Sequence, residues 1–317
     1  MYQEKSIAVV VPCYNEETLI THVLDTMPDY VDRIYVVDDQ STDRTVEVVQ
    51  SYIARLDGDR VTLLQHTTNQ GVGGAIITGY RRAAQDGMDV IVVMAGDAQM
   101  DPDDLPLLIQ PIVDGEADYT KGNRLSSGQA WHQIPRVRYL GNVALSLMTK
   151  AASGYWHIFD SQTGYTAISR EAVEAIDLDR LWKRYGYPNH LLIMLNIHNF
   201  RVKDVPVRPV YNVGEKSGIR IWRVIPSISL LLLRGFLLRL FQKYVVRDAH
   251  PMVLFYLFGV LSLIPGLIFG AYLFVYRLFV GAVSPTSALF AMFLVMFGLN
   301  FLMFALWFDM SENRHLR

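Results

Sequence analysis

Four aspartates follow an apolar run in the first third of the chain, and their spacing raises the question of metal binding. After Val90–Met94, the acids Asp97, Asp101, Asp103 and Asp104 stand within eight residues of one another. Carboxylates this close repel one another unless a cation lies among them or water screens them. The segment therefore predicts either a divalent-metal site or a solvated turn at the start of a helix.

The last three of these acids have the pattern of a helix start. In "DPDDL", Asp101 stands at the cap position before a proline, and Asp103 and Asp104 stand in the first turn, where acids favour the positive end of the helix dipole. We therefore favour helix initiation over metal binding for these three residues. Asp97 and Gln99 remain as the candidates for metal chemistry.

The elements that position these residues alternate between strand-like and helix-like patterns over residues 6–100. Four short β-branched runs have the composition of strands buried on both faces: "IAVVVP", "DRIYVVDD", "RVTLLQH" and "DVIVVMAGD". Three segments with helical spacing lie between them: "EETLITHVLDTM", "TDRTVEVVQSYIARL" and "GAIITGYRRAAQDG". This α/β alternation predicts a mostly parallel sheet with right-handed crossovers.

The carboxyl ends of the predicted strands carry polar side chains, and ligands bind parallel sheets at that edge. The residues at these ends are Asn15, Glu16, Asp38, Asp39, Asp97 and Gln99. A carboxylate there accepts hydrogen bonds from a ribose diol or a base edge, which suits a nucleoside. The glycine-rich "NQGVGGA" (69–75) predicts either an anion-binding loop or an ordinary turn. No G-x-G-x-x-G motif follows the first strand, so a dinucleotide fingerprint is lacking.

Two long charge-free stretches near the C-terminus predict a pair of membrane-spanning helices. No Asp, Glu, Lys or Arg stands between Asp248 and Arg277, or between Arg277 and Asp309. A helix needs about 20 apolar residues to cross a bilayer, and both stretches exceed that length. We predict transmembrane helices over 252–276 and 287–308, with a buried core hairpin as the alternative.

The stretch before the first predicted span has the pattern of a helix that lies in the membrane interface. Arg239, Lys243 and Arg247 recur every four residues and share one helical face, which we expect to point towards lipid headgroups. These cations, with Arg314 and Arg317 after the second span, predict that the soluble domain and both termini are cytoplasmic. We therefore expect a multi-pass membrane protein without a signal peptide.

Composition argues against several other classes of protein. Lys and Arg number 29 against 31 Asp and Glu, a formal net charge of -2, so no general attraction to nucleic acid is expected. Cys13 is the only cysteine, which excludes an internal disulfide and a thiolate metal cluster. It stands within the apolar "VVVPCYN", so we interpret it as a small buried side chain.

An ordered set of motifs resembles a known family. "VVPCYNEE" (10–17), "VVDDQSTDRT" (36–45), "NQGVGGA" and "GDAQMDPDDL" (96–105) resemble the motifs of family 2 glycosyltransferases of the GT-A fold. The later "DSQTGYTAISREAV" (160–173), "VPVRPVYNVGEKSGI" (205–219) and the C-terminal hairpin resemble the polyprenyl-phosphate glycosyltransferases, which include the dolichyl-phosphate mannose synthases. The likeness covers essentially the whole chain. It implies a nucleotide-sugar donor of the GDP-mannose or UDP-glucose type, a dolichyl or undecaprenyl phosphate acceptor, and inversion at the sugar carbon.

The resemblance also implies roles for residues at the sheet edge. Pro12, Tyr14 and Glu16 correspond to the lining of the nucleobase and ribose pocket. Asp39 corresponds to a nucleoside contact, with Asp38 as a support of the loop. These five residues form the predicted donor edge, to which the fourth strand adds a metal-binding motif.

That metal-binding motif departs from the family pattern at its first position. The family has D-x-D-x-Q, which holds Mg²⁺ or Mn²⁺ against the donor diphosphate, and the matching residues here are Ala95, Asp97 and Gln99. Mg²⁺ often takes only one or two protein carboxylates together with substrate phosphates. We therefore expect Asp97 and Gln99 to hold the cation with the diphosphate, and metal binding without nucleotide to be weak.

Cations after the fourth strand are the candidates for binding phosphates. By resemblance, Arg124 and Arg138 bind the acceptor phosphate and form the predicted catalytic set with Asp97, while Asn142 assists where relatives often have a serine. Lys216, on a loop before the interfacial helix, is expected to close on the donor diphosphate. An acceptor phosphate is already anionic at neutral pH, so the site needs cations more than a strong base.

The segment "DSQTGYTA" (160–167) leaves two interpretations open. Asp160, Gln162 and Thr163 either contact sugar hydroxyls or the acceptor loop, or they form a tight turn held by structural hydrogen bonds.

Two alternatives to the implied function also remain. One is a membrane glycosyltransferase with a polysaccharide or glycolipid acceptor, although the Q-x-x-R-W motif of processive synthases is absent. The other is a catalytically weak nucleotide-sugar-binding homologue.

These patterns predict four successive regions of the chain. Residues 1–218 form the GT-A catalytic domain, 219–248 amphipathic juxtamembrane helices, 249–310 the two spans, and 311–317 a cytoplasmic tail. The expected partners are a nucleotide sugar, a polyprenyl phosphate and the membrane, and homo-oligomerisation stays open.

Overall fold

The computed structural model of the chain describes residues 1–56, 58–125, 136–208, 210 and 221–317, and for residues 136–140, 142 and 221–225 it describes the backbone alone. These residues form two compact units, Met1–Phe236 with Leu316–Arg317, and Leu237–His315. The first unit is built around a β-sheet, and the second is helical.

A seven-stranded sheet forms the centre of the first unit. Its strands are β1 (Ile7–Cys13), β2 (Arg33–Asp38), β3 (Val61–Gln65), β4 (Val90–Val93), β5 (Tyr119–Asn123), β6 (Thr166–Ser169) and β7 (Val202–Pro206). They lie in the order β3-β2-β1-β4-β6-β5-β7. The first four strands pair parallel to one another and β5 pairs parallel to β7, whereas β6 runs antiparallel to β4 and β5. The predicted mostly parallel sheet is confirmed.

Helices connect the strands and pack against the sheet. They are α1 (Ile20–Asp25), α2 (Thr45–Ile53), α3 (Val72–Gln85), α4 (Leu105–Val113), α5 (Arg136–Ser153), α6 (Arg170–Ala175), α7 (Tyr187–Ile197) and α8 (Ile221–Arg239). The contact between α3 and β1 is so close that a Cβ on Gly79 would collide with the Val10 side chain. Cys13 is buried in the core at the end of β1, as predicted.

The fourth strand is shorter than predicted, because the backbone turns before the acidic residues. β4 ends at Val93, and the prediction that it continues to Asp97 is wrong. Ala98 has a φ of 56°, in the left-handed region that cannot continue a strand. Asp97 and Gln99 therefore lie on a turn that follows β4, at the carboxyl edge of the sheet.

The N-terminal part of α8 packs within the first unit. Leu231 is buried, and a Cβ on Gly186 would lie 2.9 Å from its Cδ2 atom. One turn later, a Cβ on Gly235 would collide with Ile193 of α7. The helix predicted to be juxtamembrane therefore has one face packed against α7, while Leu233 on another face is exposed.

The second unit is a hairpin of two long apolar helices, α9 (Met252–Phe279) and α10 (Pro285–Glu312). Both are long and apolar enough to cross a membrane, as predicted. Only 17% of the most apolar stretch of each helix is buried, which argues against the core hairpin of a soluble protein. Glycines let the two backbones approach. A Cβ on Gly298 would lie 2.5 Å from the Leu263 nitrogen.

Two of the three interfacial cations are buried, so the prediction that they point towards headgroups is wrong for this pair. Arg239 is 0% exposed and forms a bidentate ion pair with Asp309, with Nη1–Oδ1 at 2.7 Å and Nη2–Oδ2 at 2.9 Å. Lys243 is 2% exposed and donates from Nζ to Asn313 Oδ1 at 2.8 Å. Arg247, the third cation, is exposed.

The reason for this burial lies partly in helix geometry and partly in a distant residue. A π-helical segment, Leu240–Arg247, follows α8, so the four-residue repeat no longer marks one face. Asp309, at the far end of α10, supplies the opposite charge that a buried arginine requires. The Tyr244 hydroxyl completes the network, since it donates to Asp309 Oδ1 at 2.9 Å and accepts from Asn313 Nδ2 at 2.8 Å.

Candidate functional site

The segments after β1 and β2 are tied to each other at the carboxyl edge of the sheet. Asn15 has a φ of 60°, and its Oδ1 accepts the Thr42 N–H at 2.8 Å, while its own N–H donates to Ser41 Oγ at 2.9 Å. The Glu16 N–H donates to Thr45 Oγ1 at 2.9 Å. These bonds fix the backbone that carries the predicted donor residues. Of those residues, Pro12 is buried and Tyr14 is 49% exposed.

Asp39 is buried beneath the loop that follows β3, and its carboxylate is engaged by that loop. Its Oδ1 accepts from His66 Nδ1 and from the Gln70 N–H, both at 2.8 Å, and its Oδ2 accepts the Gly71 N–H at 2.7 Å. Asp38 is also buried and accepts the Ser41 N–H at 3.2 Å. These contacts favour loop support for both aspartates, so the predicted nucleoside contact of Asp39 stays a prediction.

The glycine-rich loop "NQGVGGA" is shaped by close packing against a second backbone segment. A Cβ on Gly73 would lie 2.7 Å from the Trp182 carbonyl oxygen, and one on Gly71 would lie 2.8 Å from the Lys183 carbonyl oxygen. Gly71 also has a φ of 87°. The Gly74 N–H donates to the Lys183 carbonyl at 3.1 Å. Backbone packing therefore accounts for the glycines without an anion.

Asp97 and Glu16 approach each other where the β4 turn meets the β1 turn. A Cβ on Gly96 would lie 2.8 Å from Cys13 Sγ and 3.5 Å from Glu16 Cγ. Burial and the negative charges of Asp97 and Asp43 raise the pKa of Glu16 to about 7. A site that crowds carboxylates in this way attracts a cation or the hydroxyl groups of a sugar.

The donor set fits a divalent cation that is shared with a substrate. Asp97 Oδ1 accepts the Gln99 N–H at 3.1 Å, so both side chains belong to one turn. Ala95 has no oxygen to offer, and its N–H donates to Met100 Sδ at 3.3 Å. Among the described residues, no group of three His, Cys, Asp or Glu side chains has the arrangement of a metal site. Phosphate oxygens must then complete the coordination.

The three later aspartates start a helix, as predicted, and they also contact an arginine that the sequence did not indicate. Asp101 accepts the Asp103 N–H at 3.0 Å, and a 3₁₀ turn over Pro102–Asp104 leads into α4. Asp104 Oδ2 accepts the Arg208 N–H at 2.6 Å, and its Oδ1 accepts from Arg208 Nε at 3.1 Å. Arg208 Nη2 lies 3.2 Å from Asp101 Oδ2. Arg208, which stands 104 residues after Asp104, therefore offsets part of the negative charge of this acidic run.

A buried carboxylate holds Arg124 at the end of β5. Asp160 is 0% exposed and accepts from Arg124 Nε at 2.8 Å and Nη2 at 3.3 Å. Burial acts to raise the pKa of Asp160, but the charge of Arg124 outweighs burial and keeps this pKa below its usual value. Lys121 is buried beside this pair, with its Nζ donating to the Thr163 carbonyl at 2.7 Å, and burial lowers its pKa to about 8. Asp160 also accepts the Gln162 N–H at 3.1 Å.

The "DSQTG" segment is thus a turn with structural hydrogen bonds that supports Arg124. The sequence shows the "DSQTG" motif, but it does not indicate that Asp160 pairs with Arg124, because the two residues are 36 positions apart. The same segment contacts α5 through a hydrogen bond of 3.1 Å between Ser161 and Ser146. His66 likewise has a structural contact, with Asp39, that no local pattern in the sequence indicates.

Three predicted phosphate-binding residues fall partly or wholly outside the described part of the chain. Lys216 lies outside it altogether. The side chains of Arg138 and Asn142 also lie outside it, although their backbone belongs to α5. Both stand at four-residue intervals before Ser146, so the three positions share one row of that helix.

The chain is similar to proteins of known family. Residues 8–177 match the model of glycosyl transferase family 2. A UDP-N-acetylglucosamine–dolichyl-phosphate N-acetylglucosaminyltransferase of Methanococcus voltae is 31% identical over 219 residues, which cover 66% of this chain and 87% of that protein. An undecaprenyl-phosphate mannosyltransferase of Micrococcus luteus is 30% identical over 204 residues, 63% of this chain and 82% of that protein.

A solved structure shares the fold. Glucosyl-3-phosphoglycerate synthase from Mycobacterium tuberculosis, in complex with Mn²⁺, UDP and glucosyl-3-phosphoglycerate, has a TM-score of 0.52 and 24% sequence identity, and the match covers 74% of this chain and 80% of that one. The sheet therefore has the GT-A fold. Within that class, the chain belongs to glycosyl transferase family 2. The resemblance to the polyprenyl-phosphate glycosyltransferases is confirmed as well.

Proposed function

We propose that this protein transfers a hexose from a nucleotide sugar to the phosphate of a polyprenyl phosphate, with inversion at the sugar carbon. The observation that carries the proposal is that one chain contains a family 2 glycosyltransferase domain and two apolar helices of membrane-spanning length. A polyprenyl tail is confined to the bilayer, so a membrane-anchored enzyme meets this acceptor where it resides. Relatives named for dolichyl and undecaprenyl phosphate support the choice of acceptor.

The donor nucleoside binds, in this proposal, at the edge formed by the turns after β1 and β4. Pro12 and Tyr14 line the base and ribose pocket, and Glu16 accepts hydrogen bonds from ribose hydroxyls in its carboxylate form. Asp39 keeps its predicted place beside the nucleoside by holding the loop after β3. The supporting observation is the set of hydrogen bonds that fixes the turn after β1 and the loop after β3 to the segment after β2.

Asp97 and Gln99 are the residues that would hold Mg²⁺ or Mn²⁺ with the donor. A bound divalent cation would supply positive charge to the leaving diphosphate. A cation there would also relieve the repulsion between the Asp97 and Glu16 carboxylates, which together with burial raises the pKa of Glu16. The absence of a carboxylate at Ala95 makes binding depend on the nucleotide.

The acceptor phosphate binds to cations that follow β5. Arg124, oriented by Asp160, is the cation that the structure describes, while Arg138 with Asn142 and, for the donor diphosphate, Lys216 keep in this proposal the roles that the family resemblance implies. The second pKa of a phosphate monoester is near 6, so the attacking oxygen needs no general base at neutral pH. As this oxygen bonds to the sugar carbon, the bond to the diphosphate breaks on the opposite face and the nucleoside diphosphate leaves as an anion. The work of these side chains is to hold two anions together.

Topology follows from charge in this proposal. The catalytic domain and both termini are cytoplasmic, because cations flank the two spans and the loop between them lacks charge beyond Arg277. The four regions predicted from the sequence remain the working division of the chain. A protease added to intact cells should leave both termini uncleaved and should degrade them only after the cells are lysed.

Transfer of labelled sugar to lipid tests the proposal directly. The full chain in vesicles is given radiolabelled GDP-mannose, UDP-glucose or UDP-N-acetylglucosamine, with undecaprenyl or dolichyl phosphate, and with Mg²⁺, Mn²⁺ or EDTA. We expect an alkali-stable, organic-extractable product from one donor only. Label in polysaccharide or glycolipid instead would favour the alternative acceptor, and nucleotide-sugar binding without transfer would favour a catalytically weak homologue.

Two arginine variants separate a site effect from a general effect of charge. Arg124→Ala should lower turnover about 100-fold or more, since it removes a group that acts on the phosphate. Arg180→Ala serves as the matched control, because the Arg180 side chain is 73% exposed and forms a surface ion pair with Asp177. Similar activities for the two variants would contradict the role of Arg124.

A further inference from the structure

Asn300 is a polar residue on an otherwise apolar face of the second span. Between Ser287 and Asp309 no other side chain of α10 has a polar group apart from Trp307 near the end of the helix. The buried positions of the helix are Ala291, Gly298, Ala305 and, near its end, Asp309, and a Cβ on Gly298 would collide with Leu263 of α9. Asn300 is exposed, and the helical repeat of 100° per residue places it nearly opposite Gly298. The amide therefore points away from the hairpin.

The amide is only partly satisfied within its own helix. Asn300 Nδ2 donates to the Met296 carbonyl at 2.9 Å. Within the described part of the chain, no hydrogen bond reaches Asn300 Oδ1. An amide in hydrocarbon without hydrogen bonds is costly, and water is scarce at that depth. Asn300 stands nine residues before Asp309, so it lies about 13 Å along the helix from the buried ion pair.

We propose that the face of α10 centred on Asn300 binds a second copy of this chain within the membrane. All copies insert in the same direction, so a two-fold axis along the membrane normal brings each residue opposite its own counterpart at equal depth. An amide carries both a donor and an acceptor and is therefore complementary to itself. Two Asn300 side chains facing each other across the axis donate reciprocally from Nδ2 to Oδ1, as polar residues do between membrane helices.

The residues around Asn300 provide a matching apolar surface. Phe293, Phe297, Phe304 and Trp307 lie within one helical face of Asn300 and are all exposed. Their large rings supply contact area between helices, where packing and not the hydrophobic effect drives association. The proposal does not depend on the donor, the acceptor or the activity of the enzyme.

Dimerisation of the full chain in lipid vesicles tests the proposal. Fluorescently labelled protein is diluted in vesicles, and photobleaching steps or energy transfer report the dimer fraction. Asn300→Leu should weaken dimerisation by about 3- to 30-fold, the range expected for one interhelical hydrogen-bond pair. Asn300→Gln should retain most of it. Met292→Leu, on the same helix and exposed, is the control and should match the parent.

Cysteine cross-linking gives a second readout that does not depend on the asparagine substitution. In a Cys13→Ser background, Phe304→Cys should form a disulfide-linked dimer on oxidation, because it lies on the Asn300 face. Leu302→Cys should not, since Leu302 packs against Gly259 of α9. A monomeric parent protein, an unchanged Asn300→Leu variant, or cross-links only to another protein would each overturn the proposal. A near-equal melting temperature of Asn300→Leu and the parent excludes misfolding as the cause of a positive result.

Discussion

Arg124 and Asp160 form a two-point ion pair at the carboxyl end of β5, with Nε–Oδ2 at 2.8 Å and Nη2–Oδ1 at 3.3 Å. Asp160 is fully buried, whereas 28% of the Arg124 side chain is exposed. The carboxylate thus fixes the plane of a guanidinium that remains accessible at the site. Asp160 is a positioning residue in this arrangement, because it acts through Arg124.

Asp160→Asn should impair use of the lipid acceptor more than use of the donor. Asn has one oxygen where Asp160 has two, so it cannot accept both hydrogen bonds from Arg124, and the guanidinium loses its orientation. We therefore expect kcat/KM for polyprenyl phosphate to fall about 10- to 100-fold. The KM for the nucleotide sugar should stay within about twofold. Steady-state kinetics with each substrate varied in turn measures both terms. Asp177→Asn is the control, because Asp177 pairs with an exposed arginine; equal losses for donor and acceptor would refute the positioning role.

Nucleotide binding without metal should depend on the ionisation of Glu16. Its pKa is raised to about 7 by burial, Asp97 and Asp43, so the carboxylate that accepts ribose hydroxyls forms mostly above pH 7. In EDTA, we expect the affinity for GDP or UDP, measured by calorimetry, to rise about tenfold from pH 6 to pH 8. Glu16→Gln should abolish the dependence, and Asp97→Asn should move its midpoint to lower pH. A profile that is identical in the Glu16→Gln variant would exclude Glu16 as the titrating group.

The raised pKa of Glu16 also makes the stability of the folded state depend on pH. Because the folded-state pKa lies above the ordinary value of 4.5, Glu16 favours the folded state most below pH 4.5, and this contribution is lost as the pH rises through about 7. Relative to the parent, Glu16→Gln should therefore gain stability between pH 5 and pH 8. Denaturant unfolding at several pH values provides the comparison.

Ala95→Asp should strengthen metal binding in the absence of nucleotide. The substitution adds a carboxylate two residues before Asp97, at the position where relatives have one, and a second carboxylate increases affinity for a hard cation. We expect Mn²⁺ to bind on the order of tenfold more tightly, as measured by paramagnetic resonance or calorimetry. Ala54→Asp, at the end of α2 and away from the sheet edge, is the control for added charge. An unchanged affinity would mean that residue 95 does not face the metal.

The ion pair between Arg239 and Asp309 should behave as a buried, coupled pair. Arg239→Met alone leaves Asp309 buried without its partner, which costs about 3–5 kcal/mol of unfolding free energy. The double variant Arg239→Met with Asp309→Leu should recover most of that loss, because neither charge remains. Thermal unfolding in detergent compares the four proteins of this double-mutant cycle: the parent, the two single variants and the double variant. Arg234→Met, at an exposed position of α8, should be near neutral, and additive single effects would argue against direct coupling.

Local patterns in the sequence were enough to predict the fold and the sheet edge that carries the candidate site. β-branched runs, helical spacing and two long charge-free stretches predict the parallel sheet, its carboxyl edge and the two long apolar helices, because each depends on residues close together in the chain. The proline and acids of "DPDDL" predict a helix start for the same reason. The motifs also predict that Asp97, Gln99 and Arg124 belong to one site, since parallel strands end at one edge.

Tertiary structure alone decided which charges are paired. The partners of Arg124, Asp104 and Arg239 lie 36, 104 and 70 residues away, and no local pattern indicates them. Arg239 and Lys243 show the limit most clearly, because a four-residue repeat predicts a shared exposed face, whereas a π-helical turn and a distant aspartate bury both. A charge can be buried only where an opposite charge or hydrogen-bond partner meets it, and that meeting is a property of the folded chain.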